Sequence, residues 1–228
     1  MNSTKDADTL YPCANKSKTM SENKILKIGI TGGIGSGKTT ACRIFETLGI
    51  PVYYADDRAK ALMAENEDLK KGIKNLFGEA AYLSDGSLNR KHIADIAFHN
   101  PLILNKLNTL VHPAVWLDGE QWHNAQTAPY TLKEAALLFE SGGNVLLDKI
   151  ITVVAPVETR IERVLLRGGG ALTRSDVEAR IAKQLPDEEK IKQSDFVIWN
   201  DGTQALIPQI LDIHKAILKE KEMTLNVK

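Results

Sequence analysis

Residues 32–39 read Gly32-Gly33-Ile34-Gly35-Ser36-Gly37-Lys38-Thr39, a G-x-x-x-x-G-K-[ST] pattern set directly between an apolar β-rich run, Ile25 to Thr31, and a helical run, Thr39 to Leu48. Few short segments restrict a fold so tightly. A buried strand must end where a helix begins, joined by a glycine-rich turn whose N–H groups face an anion and whose helix adds the positive end of its dipole. Gly33, Ile34, Gly35, Ser36 and Gly37 are therefore candidates for wrapping the phosphates of a nucleotide. Lys38 supplies a mobile cation for the β- and γ-phosphates, Thr39 offers a hydroxyl to Mg²⁺, and Thr40 stands within reach of the α-phosphate.

Further apolar runs at Pro51 to Tyr54, Tyr130 to Phe139, Ile150 to Ala155 and Phe196 to Trp199 alternate with helix-like segments. That alternation predicts an α/β fold, a parallel sheet with helices on both faces. Between the second and third runs, residues 57–128 show helical periodicity and no good strand, too long for a simple crossover, so they read as a helical insertion able to cap an acceptor. Asn100-Pro101 and His112-Pro113 are expected helix boundaries, since the residue before proline is pushed out of the α region. Residues 24–56 and 129–228 then form the core.

The polar first 23 residues have no apolar h-region and are expected to be a disordered extension rather than a secretory signal. Lys plus Arg and Asp plus Glu both total 29. No global basic field exists to hold nucleic acid or an anionic membrane, and no apolar stretch approaches a membrane span. Two cysteines, Cys13 and Cys42, make neither a disulfide framework nor a metal-ligand spacing, so a reducing cytoplasm is expected. A monomer or weak homo-oligomer is expected.

A phosphate loop alone does not separate a kinase from a switch GTPase or a transporter ATPase. The GTPase motif N-K-x-D is approached only by Asn105-Lys106-Leu107-Asn108, which lacks the aspartate, and no D-x-x-G occurs. The Ser141-Gly142-Gly143 triplet has the wrong flanks for a transporter signature. Arginine usage points elsewhere: of eight arginines, Arg160, Arg163, Arg167, Arg174 and Arg180 crowd into residues 160–180. Planar guanidinium makes bidentate phosphate contacts and stabilises charge developing on transferred phosphoryl oxygens. Arg160, Arg163 and Arg167 share a helix face, and Gly168-Gly169-Gly170 breaks that helix, as in a lid over about 163–180. The competing reading is a solvated face paired with Glu158 and Glu162.

On the acceptor side, Tyr54-Ala55-Asp56-Asp57 puts carboxylates at the C-terminal edge of the second strand, the edge where ligands bind. Asp56 is the candidate general base for an acceptor hydroxyl or a holder of the Mg²⁺ shell, with a helix N-cap at Asp56 or Asp57 as the structural alternative. The third run ends Leu137-Leu138-Phe139-Glu140, which places Glu140 at the same edge. His112, a lone histidine before proline, is weighed against a capping or packing role.

Together these residues resemble the dephospho-coenzyme A kinase family. The resemblance runs from about Lys24 to Lys219. It is carried by T-G-G-I-G-S-G-K, the A-D at Asp56, Asn89-Arg90, Asn100-Pro101, His112-Pro113, L-L-F-E at Glu140, R-x-x-x-R at Arg163 and Arg167, A-R-I-x-x-Q at Arg180 and Gln184, and Asn200-Asp201-Gly202.

The resemblance implies transfer of the γ-phosphate of ATP, with Mg²⁺, to the ribose 3′-hydroxyl of dephospho-coenzyme A. It also implies a five-stranded parallel sheet with a helical acceptor domain and a lid. Asp56 matches the family's catalytic aspartate, Arg163 its lid arginine and Asn200 a loop near the adenine. Lys38 and Arg163 join Asp56 as catalytic candidates and Arg167 joins the nucleotide set, while Arg90, His112 and Glu140 are candidates for holding the acceptor. Two departures stand out: Tyr54 where many members have the first carboxylate of D-A-D, and three glycines where the lid often has a charged turn. The alternatives are another metabolite kinase, such as a nucleoside monophosphate kinase, and a regulatory module that hydrolyses ATP slowly.

Overall fold

The computed structural model describes residues 24–226, and the extension expected over 1–23 lies outside the described residues. The apolar runs become β1 (Leu26–Thr31), β2 (Val52–Tyr54), β3 (Tyr130–Glu134), β4 (Lys149–Val154) and β5 (Phe196–Trp199), all parallel, in the order β2-β3-β1-β4-β5. β1, which carries the phosphate loop, is central. The helices are α1 (Lys38–Thr47), α2 (Ala55–Glu65), α3 (Glu67–Phe77), α4 (Arg90–His99), α5 (Pro101–Asn124), α6 (Val157–Arg167), α7 (Arg174–Ile181), α8 (Asp187–Lys192) and α9 (Leu206–Asn226).

Alternation along the strands sorts the side chains. Ile28 and Ile30 of β1, Leu132 of β3, Ile151 and Val153 of β4 and Ile198 of β5 form one core with Ala41, Cys42 and Phe45 of α1 and Ile210, Ile213 and Ile217 of α9. The other face meets α8 and the crossover from β3 to β4. That crossover, residues 135–148, contains only a short 3-10 turn, Gly143–Leu146, and lies close on β1. A Cβ on Gly29 would stand 2.5 Å from a methyl of Leu147 and 2.8 Å from one of Leu138, so any larger residue at this central position would have to displace both leucines. At the far edge, Gln209 of α9 accepts the Trp199 N–H at 2.8 Å and donates to the Trp199 carbonyl at 2.9 Å.

One expectation changes here. The apolar run from Tyr130 continues to Phe139, but β3 stops at Glu134, and Leu137 to Glu140 belong to the following turn. The run stays apolar because the crossover, like the strand, is packed against the sheet: Leu138 is buried although it is not in a strand.

The described chain clusters into two compact units, residues 55–124 and the sheet-bearing remainder. The first comprises α2 to α5, packed around Ile73, Phe77, Ala81, Ile93 and Ala97. Asn66 and Asn89 cap α3 and α4, and Asn100 accepts the N–H groups of Leu102 and Ile103 at the start of α5. Arg58 of α2 reaches Asp118 of α5 with two hydrogen bonds, at 2.8 and 3.0 Å.

Asn100-Pro101 is a boundary as expected. His112-Pro113 is not: α5 runs through it, with Pro113 inside the helix. Contacts of α5 with α2, α3 and α4 offset the backbone bond that the proline removes. Among the described residues no helix is long and apolar enough to cross a membrane.

Candidate active site

The phosphate loop leaves β1 at Thr31 and enters α1 at Lys38, as its motif requires. Gly37 adopts φ +98 and Gly35 φ +78, left-handed backbone open to glycine at no cost. Space forbids a side chain as well. A Cβ on Gly37 would lie 2.2 Å from the Asn200 amide nitrogen, and one on Gly35 would lie 2.4 Å from the Arg160 carbonyl oxygen. The loop is thus braced from two sides, by the turn after β5 and by α6.

Lys38 folds over the loop, its Nζ donating to the carbonyls of Gly32 at 2.9 Å and Gly33 at 3.3 Å. Asn200 donates to the Ser36 carbonyl at 2.7 Å, and Arg163 donates to the Asn200 carbonyl at 3.2 Å. Thr39 and Thr40 stand exposed in the first turn of α1.

These groups suit a polyanion. Ser36 Oγ, Thr31 Oγ1 and Arg163 Nη1 are buried without a hydrogen-bond partner among the described residues, a cost that phosphate oxygens at the loop would relieve. Mg²⁺ would find the Thr39 hydroxyl at the helix start, which fits the hard oxygen donors it takes alongside phosphate.

The arginines of α6 are graded rather than alike. Arg167 is exposed next to Gly168, Arg163 is partly buried at the loop, and Arg160 is buried. Arg160 does not pair with Glu158 or Glu162. Its guanidinium bonds Asp187 of α8 at 2.7 Å and lies against Gly33, whereas Glu158 pairs with Arg174 of α7. Glu140 accepts the Leu185 N–H at 2.7 Å and stands 3.8 Å from the Nζ of Lys190, which is fully buried. Burial pushes the Lys190 ammonium below the ordinary lysine range, with Glu140 and Asp187 opposing.

Asp56 and Asp57 sit exposed in the first turn of α2, past the cap position, where their charge still suits the helix dipole. Asp57 pairs with Lys60 at 2.6 Å. Tyr54, the last residue of β2, packs against the core and hydrogen-bonds Glu46 of α1, and burial raises its pKa. The place of the missing carboxylate is therefore filled by a side chain turned to α1. Arg90 is the exposed first residue of α4, and His112 lies partly buried within α5. The loop residues, Arg163, Arg167, Asn200 and Glu140 all belong to the sheet-bearing unit, and Asp56, Arg90 and His112 to the helical one.

One residue with bearing on the site was missed from sequence, and the setting of another was not foreseen. Glu134 ends β3 beside Ile30 and is 7% exposed; with Glu46 it raises the Cys42 pKa, after burial itself. Its signal was position: a carboxylate closing an apolar strand at the ligand edge. Arg160 was visible as an arginine, but its burial was not.

A dephospho-CoA kinase family model matches residues 26–205. The chain is similar to the dephospho-CoA kinase of Bacteroides fragilis strain YCH46, 38% identical over 82% of this chain and 91% of that one. It is also similar to that of Salinibacter ruber, 42% identical over 77% and 89%. Among solved structures, a Thermus thermophilus protein aligns with TM-score 0.74 and 35% identity over 86% of this chain and 97% of its own. A Campylobacter jejuni dephospho-CoA kinase aligns with TM-score 0.62 and 26% identity over 85% and 98%.

Proposed function

The chain belongs to the dephospho-CoA kinase family, kinases of coenzyme A biosynthesis, and from that premise we propose how its own residues move the γ-phosphate of ATP to the 3′-hydroxyl of dephospho-coenzyme A. The observation that carries the reading is the braced phosphate loop between β1 and α1, with the Arg163 guanidinium beside it.

Backbone N–H groups of the loop, other than that of Ile34, which donates to Gln184, and the α1 dipole hold the phosphates, and Lys38 exchanges its carbonyl contacts for phosphate oxygens. Mg²⁺, held by Thr39 and the phosphates, would lower the charge on the transferred group. Asp56 takes the proton of the 3′-hydroxyl as that oxygen bonds to γ-phosphorus and the bond to the bridging oxygen breaks, releasing ADP. Arg163 and Arg167, on a lid made of α6 and α7, neutralise the charge that develops. Residues 57–128, with Arg90 and His112, and Glu140 from the crossover serve the acceptor.

Incubation of the purified chain with ATP, Mg²⁺ and dephospho-coenzyme A should yield coenzyme A and ADP in equal amounts. ADP formation that ignores the acceptor, or a better rate with nucleoside monophosphates, would overturn the assignment.

A further inference from the structure

The third position of the loop, Ile34, is one the phosphate motif leaves open, yet the structure holds it twice. Its N–H donates to Gln184 Oε1 at 2.8 Å, while Gln184 Nε2 donates to the Ala136 carbonyl, just past β3, at 3.4 Å. Its side chain packs against Ile161, Val164 and Val177, the apolar core shared by α6 and α7. Gln184 is tied to α7 by a helical turn, its own N–H reaching the Ile181 carbonyl at 3.0 Å. The next residues fasten the same segment: Leu185 to Glu140, and Asp187 to Arg160, whose guanidinium lies against Gly33. One short stretch thus connects the end of α7 to the phosphate loop directly at Ile34 and, through Arg160, at Gly33, and to the crossover at Glu140.

We propose that Gln184 is a positioning residue that sets the shape of the phosphate loop through the Ile34 N–H, and so couples nucleotide affinity to the docking of α6 and α7. This rests on the reading of residues 32–39 as the ATP cradle. Gln184 touches no reacting atom. Its amide holds the Ile34 N–H away from any bound anion, and beside it the Ser36 N–H closes the turn on the Gly33 carbonyl at 3.1 Å, so the contact fixes the bend of the loop. A loop freed from this contact samples other turns and must be ordered again by each nucleotide, so affinity falls with no loss of folding.

The test is Gln184→Met, which keeps the length of the side chain and removes both polar atoms. ADP binding by titration calorimetry should weaken roughly five- to tenfold, the worth of an ordinary hydrogen bond or two, and KM for ATP should rise by a similar factor. KM for dephospho-coenzyme A and the melting midpoint should stay at wild-type values, which a merely structural role would not leave separate. Should Gln184→Met fold poorly, Gln184→Asn withdraws the amide by one methylene and is read the same way. ADP affinity within twofold of wild type, or equal losses for both substrates together with a lower melting midpoint, overturns the proposal. Wild type that binds no ADP overturns the cradle reading and this proposal with it. Wild type that binds ADP but makes no coenzyme A removes only the acceptor assignment and leaves the comparison of variants intact.

Discussion

Asp56 stands two residues past the end of β2, exposed and in the first turn of α2, so its carboxylate is not needed to cap that helix. Asp56→Asn is therefore expected to fold normally and to lower kcat by roughly 10²- to 10⁴-fold, the usual worth of a general base, with ADP binding little changed. Asp57→Asn, which removes only the pair with Lys60, should keep most of the activity. Equal activity in the two variants, measured by coenzyme A formation, would move the role of base elsewhere, with Glu134 the next carboxylate to test. At this scale legibility followed continuity of sequence. The loop from Gly32 to Thr39 is contiguous, and each residue's chemistry could be read in place. Arg160 and Gln184 act through partners tens of residues away, and nothing in the local pattern names those partners.

At the scale of elements, the strands were readable because a parallel sheet buries both faces and leaves unbroken apolar runs. The end of β3 was not, because Leu138 is buried by the crossover that packs on Gly29 and is no less apolar than the strand before it. The continuity of α5 through Pro113 was hidden for a different reason: its support comes from three other helices, while the proline rule is local. Docking of α9 on β3 carries a testable charge dependence. The Tyr130 hydroxyl bonds His214 Nδ1 at 2.7 Å, and burial lowers the His214 pKa, so the folded chain takes up that proton less readily than the unfolded one. Stability from this pair is complete above the unfolded value of about 6.5 and falls as pH drops from there through the folded value. Melting midpoints should decline between about pH 7 and pH 5, and the decline should be shallower in His214→Gln. An unchanged slope in that variant would assign the acid sensitivity to other groups.

At the scale of the molecule, equal numbers of acidic and basic residues leave no long-range field to drive or prevent association, so what happens at high concentration depends on local features of the surface. An open parallel sheet has two raw edges, and those are the obvious places for another chain to add a strand. β2 is three residues long and offers little to copy. β5 is longer, but Gln209 occupies both main-chain groups of Trp199 with its amide, imitating a neighbouring strand at the point where one would attach. Gln209→Ala should leave catalysis and the melting midpoint close to wild type while increasing light scattering during refolding or storage near pI 7.0, where net charge gives no protection. Unaltered scattering in the variant would show that the edge is guarded by other means. With scattering raised in the variant, Gln209 would be a chaperone built into the fold, expected to keep a chain with no net charge from templating its own aggregation.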